Sequence, residues 1–189
     1  MLELLAHAQH REALPGVPSG VWDIDPAHSV VGFSVRHLMS KVRGTFSAYE
    51  GRIEIADDPL QSQAEVEIQL ASVNTGNEMR DGHLRTSDFF HVEQHPTMRF
   101  VSTGLREADG TWVLDGELTI RGTTRDVEIG LEFLGYDPTG QQGEPRIGFE
   151  GHTSIHRSDF GITFGLDGGK VVVGDKIDIL LEIEATLAD

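Results

Sequence analysis

From Val21 onward the chain alternates apolar and polar residues with a period of two, segment after segment, and little else is compatible with that pattern. Successive side chains on a strand point to opposite faces, so such alternation marks a strand with one face buried and the other in water. Val31, Phe33 and Val35 share one face, with Gly32 and Ser34 between them. Tyr49, Gly51, Ile53 and Ile55 alternate with Glu50, Arg52 and Glu54, and Ala64, Val66, Ile68 and Leu70 with Glu65, Glu67 and Gln69. Met98 and Phe100 flank Arg99. Trp112, Leu114, Leu118 and Ile120 oppose Asp115, Glu117 and Thr119, and Val127, Ile129, Leu131 and Phe133 oppose Glu128 and Glu132. Ile147, Phe149 and Ile155 follow, then Ile177, Ile179, Leu181 and Ile183. These segments predict at least eight strands.

Turn signals separate them. Asp109-Gly110 reads as a tight hairpin, Arg121-Gly122-Thr123-Thr124-Arg125 as a five-residue hairpin loop, and Asp137-Pro138-Thr139-Gly140 as the start of a longer loop rich in Gly and Gln. Consecutive hairpins give an antiparallel up-and-down order, and eight such strands remove their exposed edges by closing on themselves. The expected fold is therefore all-β, an up-and-down β-barrel of about eight strands. One stretch departs from it. Thr75-Gly-Asn-Glu78 has the form of a capping box, opening a short helical segment near 77–86 that leads to Phe89-Phe90. A shorter interruption, His37 to Lys41, is read with it as covering a barrel end.

Residues 1–20 form a separate arm. Leu2, Leu4 and Leu5 suggest the start of a short helix, and Pro15-Gly16-Val17-Pro18-Ser19-Gly20 has the composition of a linker. The arm is expected to be disordered or to dock on a neighbour, with residues 21–189 as the barrel domain. The N-terminus has Glu3, no basic region and a very short apolar run, so it does not read as a signal peptide, and a cytoplasmic location is expected.

Composition excludes several function classes. With 15 Lys+Arg against 31 Asp+Glu the formal charge is −16, which repels phosphate backbones and argues against nucleic acid as a partner. No apolar run suits a stable membrane insertion. The lack of cysteine rules out thiolate metal sites, redox pairs and thiol nucleophiles. His91 and His95 have a helical metal spacing, but Pro96 disfavours helix there; His152 and His156 fall on the polar side of a strand. No metal is expected at either pair. Gly165-Leu-Asp-Gly168-Gly169-Lys170 departs from the phosphate-loop pattern and is read as a glycine-rich turn. No pair of carboxylates stands out as acid and base, so no catalytic residue is assigned.

The interior is left open by periodicity, since an eight-stranded barrel can fill with side chains or hold one ligand. Small residues (Gly32, Ser34, Gly51, Ala64, Gly116) are read among the inward positions. Phe33, Phe46, Phe89, Phe90, Phe100, Phe160 and Phe164 gather near the helical interruption and the late loop.

The stretch from Trp22 to Phe46 (WDIDPAHSVVGFSVRHLMSKVRGTF) closely resembles the opening motif of the YceI-like family. Asn74 to Phe90, Leu118 to Thr124, Ser158 to Ile162 and Val173 to Asp175 resemble its further motifs in order, covering about residues 21–187. The resemblance implies a lipocalin-like barrel whose tunnel binds a polyisoprenoid or similar amphiphilic chain without catalysis. It further implies that no cofactor is needed beyond a bound isoprenoid or quinone-like lipid, and that a homodimer can form. On that reading Phe33, Val35, Phe46, Met79, Phe89, Phe90, Phe100, Trp112, Leu114, Phe149, Phe160 and Phe164 line the ligand. Basic residues of the two non-strand segments, Arg43, Arg80 and Arg85 foremost among Arg36, His37 and Lys41, would meet a head group. The family's frequent export is not matched by this N-terminus. The competing reading is a small-molecule enzyme, isomerase- or hydrolase-like, working in the cavity; a packed barrel serving only as an interaction module is a third.

Overall fold

The computed structural model describes residues 14–140, 143–166 and 172–188. The short helix expected at Leu2 to Leu5, most of the arm and the centre of the glycine-rich turn lie outside the described residues. Among the described residues the strands are β1 (Gly20–Ile24), β2 (Val30–His37), β3 (Ser40–Phe46), β4 (Tyr49–Ile55), β5 (Gln63–Gln69), β6 (Val73–Asn74), β7 (Thr97–Ala108), β8 (Thr111–Ile120), β9 (Thr123–Asp137), β10 (Arg146–His156) and β11 (Val173–Leu187), with one α-helix, α1 (Glu78–Arg85), between β6 and β7.

These eleven segments make eight staves. β1 and β2 both pair antiparallel with β11, Ile24 opposite Ala185 and Val30 opposite Glu182, so they are one strand broken at residues 25–29. Their partners are likewise halves of one strand: β4 pairs with β1 and β3 with β2. β5 and β6, on β4 and β3, are the third broken strand. Beyond β5 the order runs β7, β8, β9, β10, β11, and β11 returns to β1 and β2, which closes an antiparallel up-and-down barrel.

The breaks have local causes. At residues 25–29 the Asp25 N–H donates to the Glu184 carbonyl (2.9 Å), its side chain accepts from the Ala27 N–H (3.0 Å), and Ser29 exchanges bonds with the Glu184 backbone. Arg146 ties this joint to the adjacent strands, with Asp25 at 2.9 Å, Glu144 at 2.8 Å and Glu184 at 3.1 Å. Between β5 and β6 a 3-10 turn, Leu70–Ser72, buries Leu70 completely.

Two turns differ from the sequence reading. Arg121 and Gly122 both have positive φ (51° and 72°) and Ile120 pairs with Thr123, so this is a two-residue hairpin and not a five-residue loop. His37 pairs with Ser40, so the interruption read there is the tip of the β2–β3 hairpin, and β3 is a strand the alternation did not reveal. The helix is present, but its cap is Asn77, whose side chain accepts from the Arg80 N–H at 2.9 Å. Thr75 does not form the expected capping box; its N–H donates to buried Asp81 (3.0 Å) and its hydroxyl bonds the same carboxylate.

Inward faces of the staves form the main apolar cluster. A second cluster of Trp22, Ile55, Ile147 and Ala185, packed by Leu14 and Val17, closes the end where the chain enters. Trp22 is fully buried there, edge-on to Tyr136 at 6.2 Å, and its indole N–H is the buried side-chain donor without a partner among the described residues. The described stretch of the arm before β1, residues 14–19, therefore packs on its own barrel through Leu14 and Val17.

Candidate functional site

Parity decides what faces the barrel axis. On β5 the inward residues are Ala64, Val66 and Ile68; on β8, Trp112, Leu114, Leu118 and Ile120; on β11, Ile177, Ile179, Leu181 and Ile183. Between them runs a cavity of about 290 Å³, near the lower end of the roughly 300–1,000 Å³ usual for ligand sites. Apart from the Trp112 indole, its lining among the described residues carries polar side chains only at Ser62, Gln63, Thr153 and Arg157. No carboxylate and no imidazole borders it among those residues.

The cavity runs the length of the staves. At the entry end it meets Leu14, Ile55, Pro59 and Ser62. Its other end lies under α1 and the loop after β10, where Leu84, Phe89, Phe90, Phe160 and Ile162 close over it. Phe33, Phe46 and Phe90 stack in sequence from wall to cap, with ring centroids 5.6 Å and 5.8 Å apart.

Ten of the twelve lining residues expected from the sequence border the cavity: Phe33, Val35, Phe46, Phe89, Phe90, Phe100, Trp112, Leu114, Phe149 and Phe160. Two do not. Met79 is 87% exposed on the outer face of α1, five positions from Leu84 and so about 140° around the helix from it. Phe164 is 46% exposed and packs on the outside of the cap, against His83 (5.0 Å) and Phe89 (5.4 Å).

The small residues read as inward also divide. Gly51 and Gly116 do face the interior, but a methyl at Gly116 would collide with the Phe100 ring and one at Gly51 would lie 2.8 Å from Ile24, so neighbours already fill those positions. A Cβ at Gly32 would point to the Leu180 carbonyl and Val30, on the opposite face from Val31 and Phe33, and Ser34 shares that outer parity. Of the five, Ala64 borders the cavity with its side chain and Gly32 only with its backbone.

The basic residues expected at a head group are placed elsewhere. Arg43 is exposed on the outer face of β3. Arg80 is spent on Thr75, its Nε donating to the hydroxyl at 2.7 Å and Nη2 to the carbonyl at 2.8 Å. Arg85 donates to the carbonyls of Ala71 (2.9 Å) and Val73 (3.2 Å). Both clamp α1 to the chain that precedes it, and none of the three lines the cavity.

The cation that does reach the cavity is Arg157, which sequence reasoning missed. It is 4% exposed and stands 5.9 Å from the centroid of Phe89. Burial pushes its guanidinium below the ordinary arginine value, and the negative charge of Asp175 opposes that shift. The signal was in the sequence: continuing the inward parity of Ile147, Phe149 and Ile155 by one more step arrives at Arg157.

The histidine pairs are now located. His91 has positive φ (52°) in a turn and its ring centroid is 6.1 Å from that of His95, while His152 is exposed and bonds Glu150 at 2.6 Å. Among the described residues no group of three His, Asp or Glu side chains could hold a metal ion.

Comparison with known proteins places this geometry. The sequence pattern of the YceI-like domain family matches residues 22–185. A UPF0312 protein of Ectopseudomonas mendocina is 36% identical over 162 residues, covering 83% of this chain and 81% of that one. The crystal structure of the Campylobacter jejuni YCEI protein superposes with a TM-score of 0.71 at 34% identity, over 87% of this chain and 96% of that one. A polyisoprenoid binding domain from Saccharophagus degradans superposes with a TM-score of 0.70 over 90% of this chain and all of that one; at 16% identity it shows the fold alone.

Proposed function

The chain belongs to the YceI-like family, and on that basis we propose that it binds a long apolar or amphiphilic chain, of polyisoprenoid type, inside the barrel and carries or sequesters it without catalysis. The observation that carries this reading is the cavity itself, which runs end to end and is lined almost wholly by Ile, Leu, Val and Phe. Burying apolar surface there is worth about 25 cal/mol per Å², so a long chain can bind well with few polar contacts. The name of the Saccharophagus degradans neighbour points to the same ligand class. An isomerase or hydrolase would need a general acid or base at the cavity, and the described lining holds no carboxylate or imidazole: its hydroxyls, Ser62 and Thr153, have no base beside them in that lining, and Arg157 stays protonated and donates.

The test is uptake of a neutral chain, geranylgeraniol, by the full-length protein, with Ala64→Trp and Thr153→Phe as blocking variants. Both residues line the cavity, so larger side chains enter its open space. Overpacking a filled core costs about 1–3 kcal/mol. The expected result is stoichiometric uptake by the parent, strongly reduced uptake by both variants, and melting temperatures close to the parent's. Failure of the parent to take up the chain, with both variants clearly destabilised, would leave a packed barrel.

A further inference from the structure

The β2–β3 hairpin is tipped by unusual residues for a tight turn. Residues 38 and 39 are its whole connection, because His37 pairs with Ser40. Two other two-residue tips among the described residues, Asp109-Gly110 and Arg121-Gly122, carry glycine at the second position. Here the chain places Leu38 and Met39. Leu38 sits in the left-handed region at φ 51°, which is unfavourable for a side chain of that size. Met39 is 96% exposed and Leu38 is exposed too. The Leu38 N–H donates to the carbonyl of Val172 (3.0 Å), a third exposed apolar residue. Backbone strain and exposed apolar surface at one tip both oppose folding, and together they mark a contact surface.

Cations surround that tip in a chain that is otherwise strongly acidic. Residues 26–49 contain no Asp or Glu, although the whole chain of 189 residues has 31. Arg36 lies opposite Lys41 on the outer face of the hairpin, and Arg43 is two residues further along the same face. Lys176 of β11 joins them, since it and Lys41 both reach Asp178, at 3.4 Å and 3.3 Å. Four cations thus face one carboxylate. Elsewhere on the wall Arg52 is paired with Asp23, Arg99 with Glu65, and Arg106 with Asp115 and Glu128. Arg36 and Arg43 are exposed and have no carboxylate partner among the described residues. Other acids of this end belong to neighbouring sectors: Asp159 borders Asp126 on the β9 side, and Asp88 bonds His83 beside α1.

We propose that this tip docks on an anionic bilayer surface, with Leu38, Met39 and Val172 entering the interface and Arg36, Lys41, Arg43 and Lys176 meeting lipid phosphates. A small protruding apolar element ringed by basic side chains suits a peripheral contact. Nucleic acid and acidic proteins supply the charge but not the apolar layer for a methionine that stands out into solvent. The formal charge of −16 does not prevent the contact. Screening at physiological salt acts over about 8 Å, whereas β10 alone, at 11 residues, spans roughly 35 Å, so acids at the far end are not felt at the tip. Each cation near an anionic surface contributes about fivefold in affinity, and a net three give on the order of a hundredfold. The tip stands at the capped end of the cavity: His37 pairs with Val173, and β10, paired with β11 through His156 and Lys176, runs straight into Arg157–Phe160. The contact does not depend on what the cavity holds.

The experiment measures co-sedimentation of the full-length protein with vesicles of phosphatidylcholine alone, and of phosphatidylcholine and phosphatidylglycerol in equal parts. The parent should bind the anionic vesicles at least about tenfold more tightly than the neutral ones. Salt at about 1 M, where the screening length falls to about 3 Å, should release it. Arg36→Glu combined with Arg43→Glu should remove the preference, and Met39→Ser should weaken binding about fivefold. Leu134→Ser removes an exposed apolar side chain from β9, outside the patch, and should change nothing. The chain has no cysteine, so Met39→Cys carrying an environment-sensitive dye reports insertion directly. Its emission should shift to the blue on anionic vesicles, and that of the same dye on Leu134→Cys should not. Absence of vesicle binding, binding that survives the double charge reversal, or equal shifts at both dye positions overturns the proposal. A dimer in sedimentation velocity that Met39→Ser dissolves, without vesicle binding, overturns it too and gives the tip to a second copy of the chain.

Discussion

Arg146 and Arg157 are both withdrawn from solvent, yet carboxylates hold one above the ordinary arginine value and burial pushes the other below it. Arg146 sits among three carboxylates where β1 breaks into β2, and its guanidinium is held above the ordinary arginine value by Glu144 first and then Asp25. Burial alone would raise the Asp25 carboxyl, but hydrogen bonds from His28 and Arg146 outweigh it and hold the group below its usual value of 3.8. A depressed carboxylate stabilises the fold above its unfolded pKa and loses that contribution as pH falls through the folded value. Arg146→Met is therefore expected to lower the melting temperature near neutral pH. The gap to the parent should shrink as pH falls from about 6 to below the 3.8 of a free Asp, because Asp25 is then protonated in both proteins. Thermal melts across that range check the sign; a gap that widens in acid would contradict it. At this scale the sequence was only half legible. Parity identified most of the lining, but the roles of Arg80, Arg85 and Arg146 depend on which carbonyls and carboxylates the fold brings to them, and charge alone carries no such information.

Elements were more legible than their joints. Each long strand announced itself through alternation, since one face is buried and the other wet. The broken strands were not recognised as pairs of segments, because what unites β1 with β2 is a shared partner, β11, far away in sequence, and β3 and β4 are aligned only by pairing with those two halves. β3 was missed because its inward set, Val42, Gly44 and Phe46, has a glycine in the middle, where Phe33 and Thr75 crowd in. Helix α1 was found, with its cap two residues out. Asn77→Ala should cost about 1 kcal/mol in denaturant unfolding by removing the acceptor for the Arg80 N–H. Thr75 tests the assignment: Thr75→Val should act through buried Asp81, which loses the hydroxyl that bonds it, and should leave the cap intact. In the β8–β9 hairpin, Gly122→Ala should cost about 1 kcal/mol, because φ is 72° there and an added methyl would come 3.3 Å from His95.

The whole molecule is a closed wall around an apolar space, and its outer face carries the charge. That division explains how a chain of formal charge −16 can enclose a lining with almost no charge, since alternation sends every second residue outward. Whether the space was open or filled could not be read from periodicity, because inward Ile and Leu look alike in either case. It was settled by placement. Gly116 is covered by Phe100, while Ala64 borders free volume, a distinction that depends on neighbouring strands. The central claim is that this space holds an apolar chain. Native mass spectrometry of the full-length protein, mixed with geranylgeranoic acid and then extracted into organic solvent, tests it most directly. The account predicts a one-to-one adduct that survives desolvation, returns the probe intact in the extract, and is lost in Ala64→Trp. A spectrum of bare protein at saturating probe, or an adduct equally abundant in the blocked variant, would contradict it.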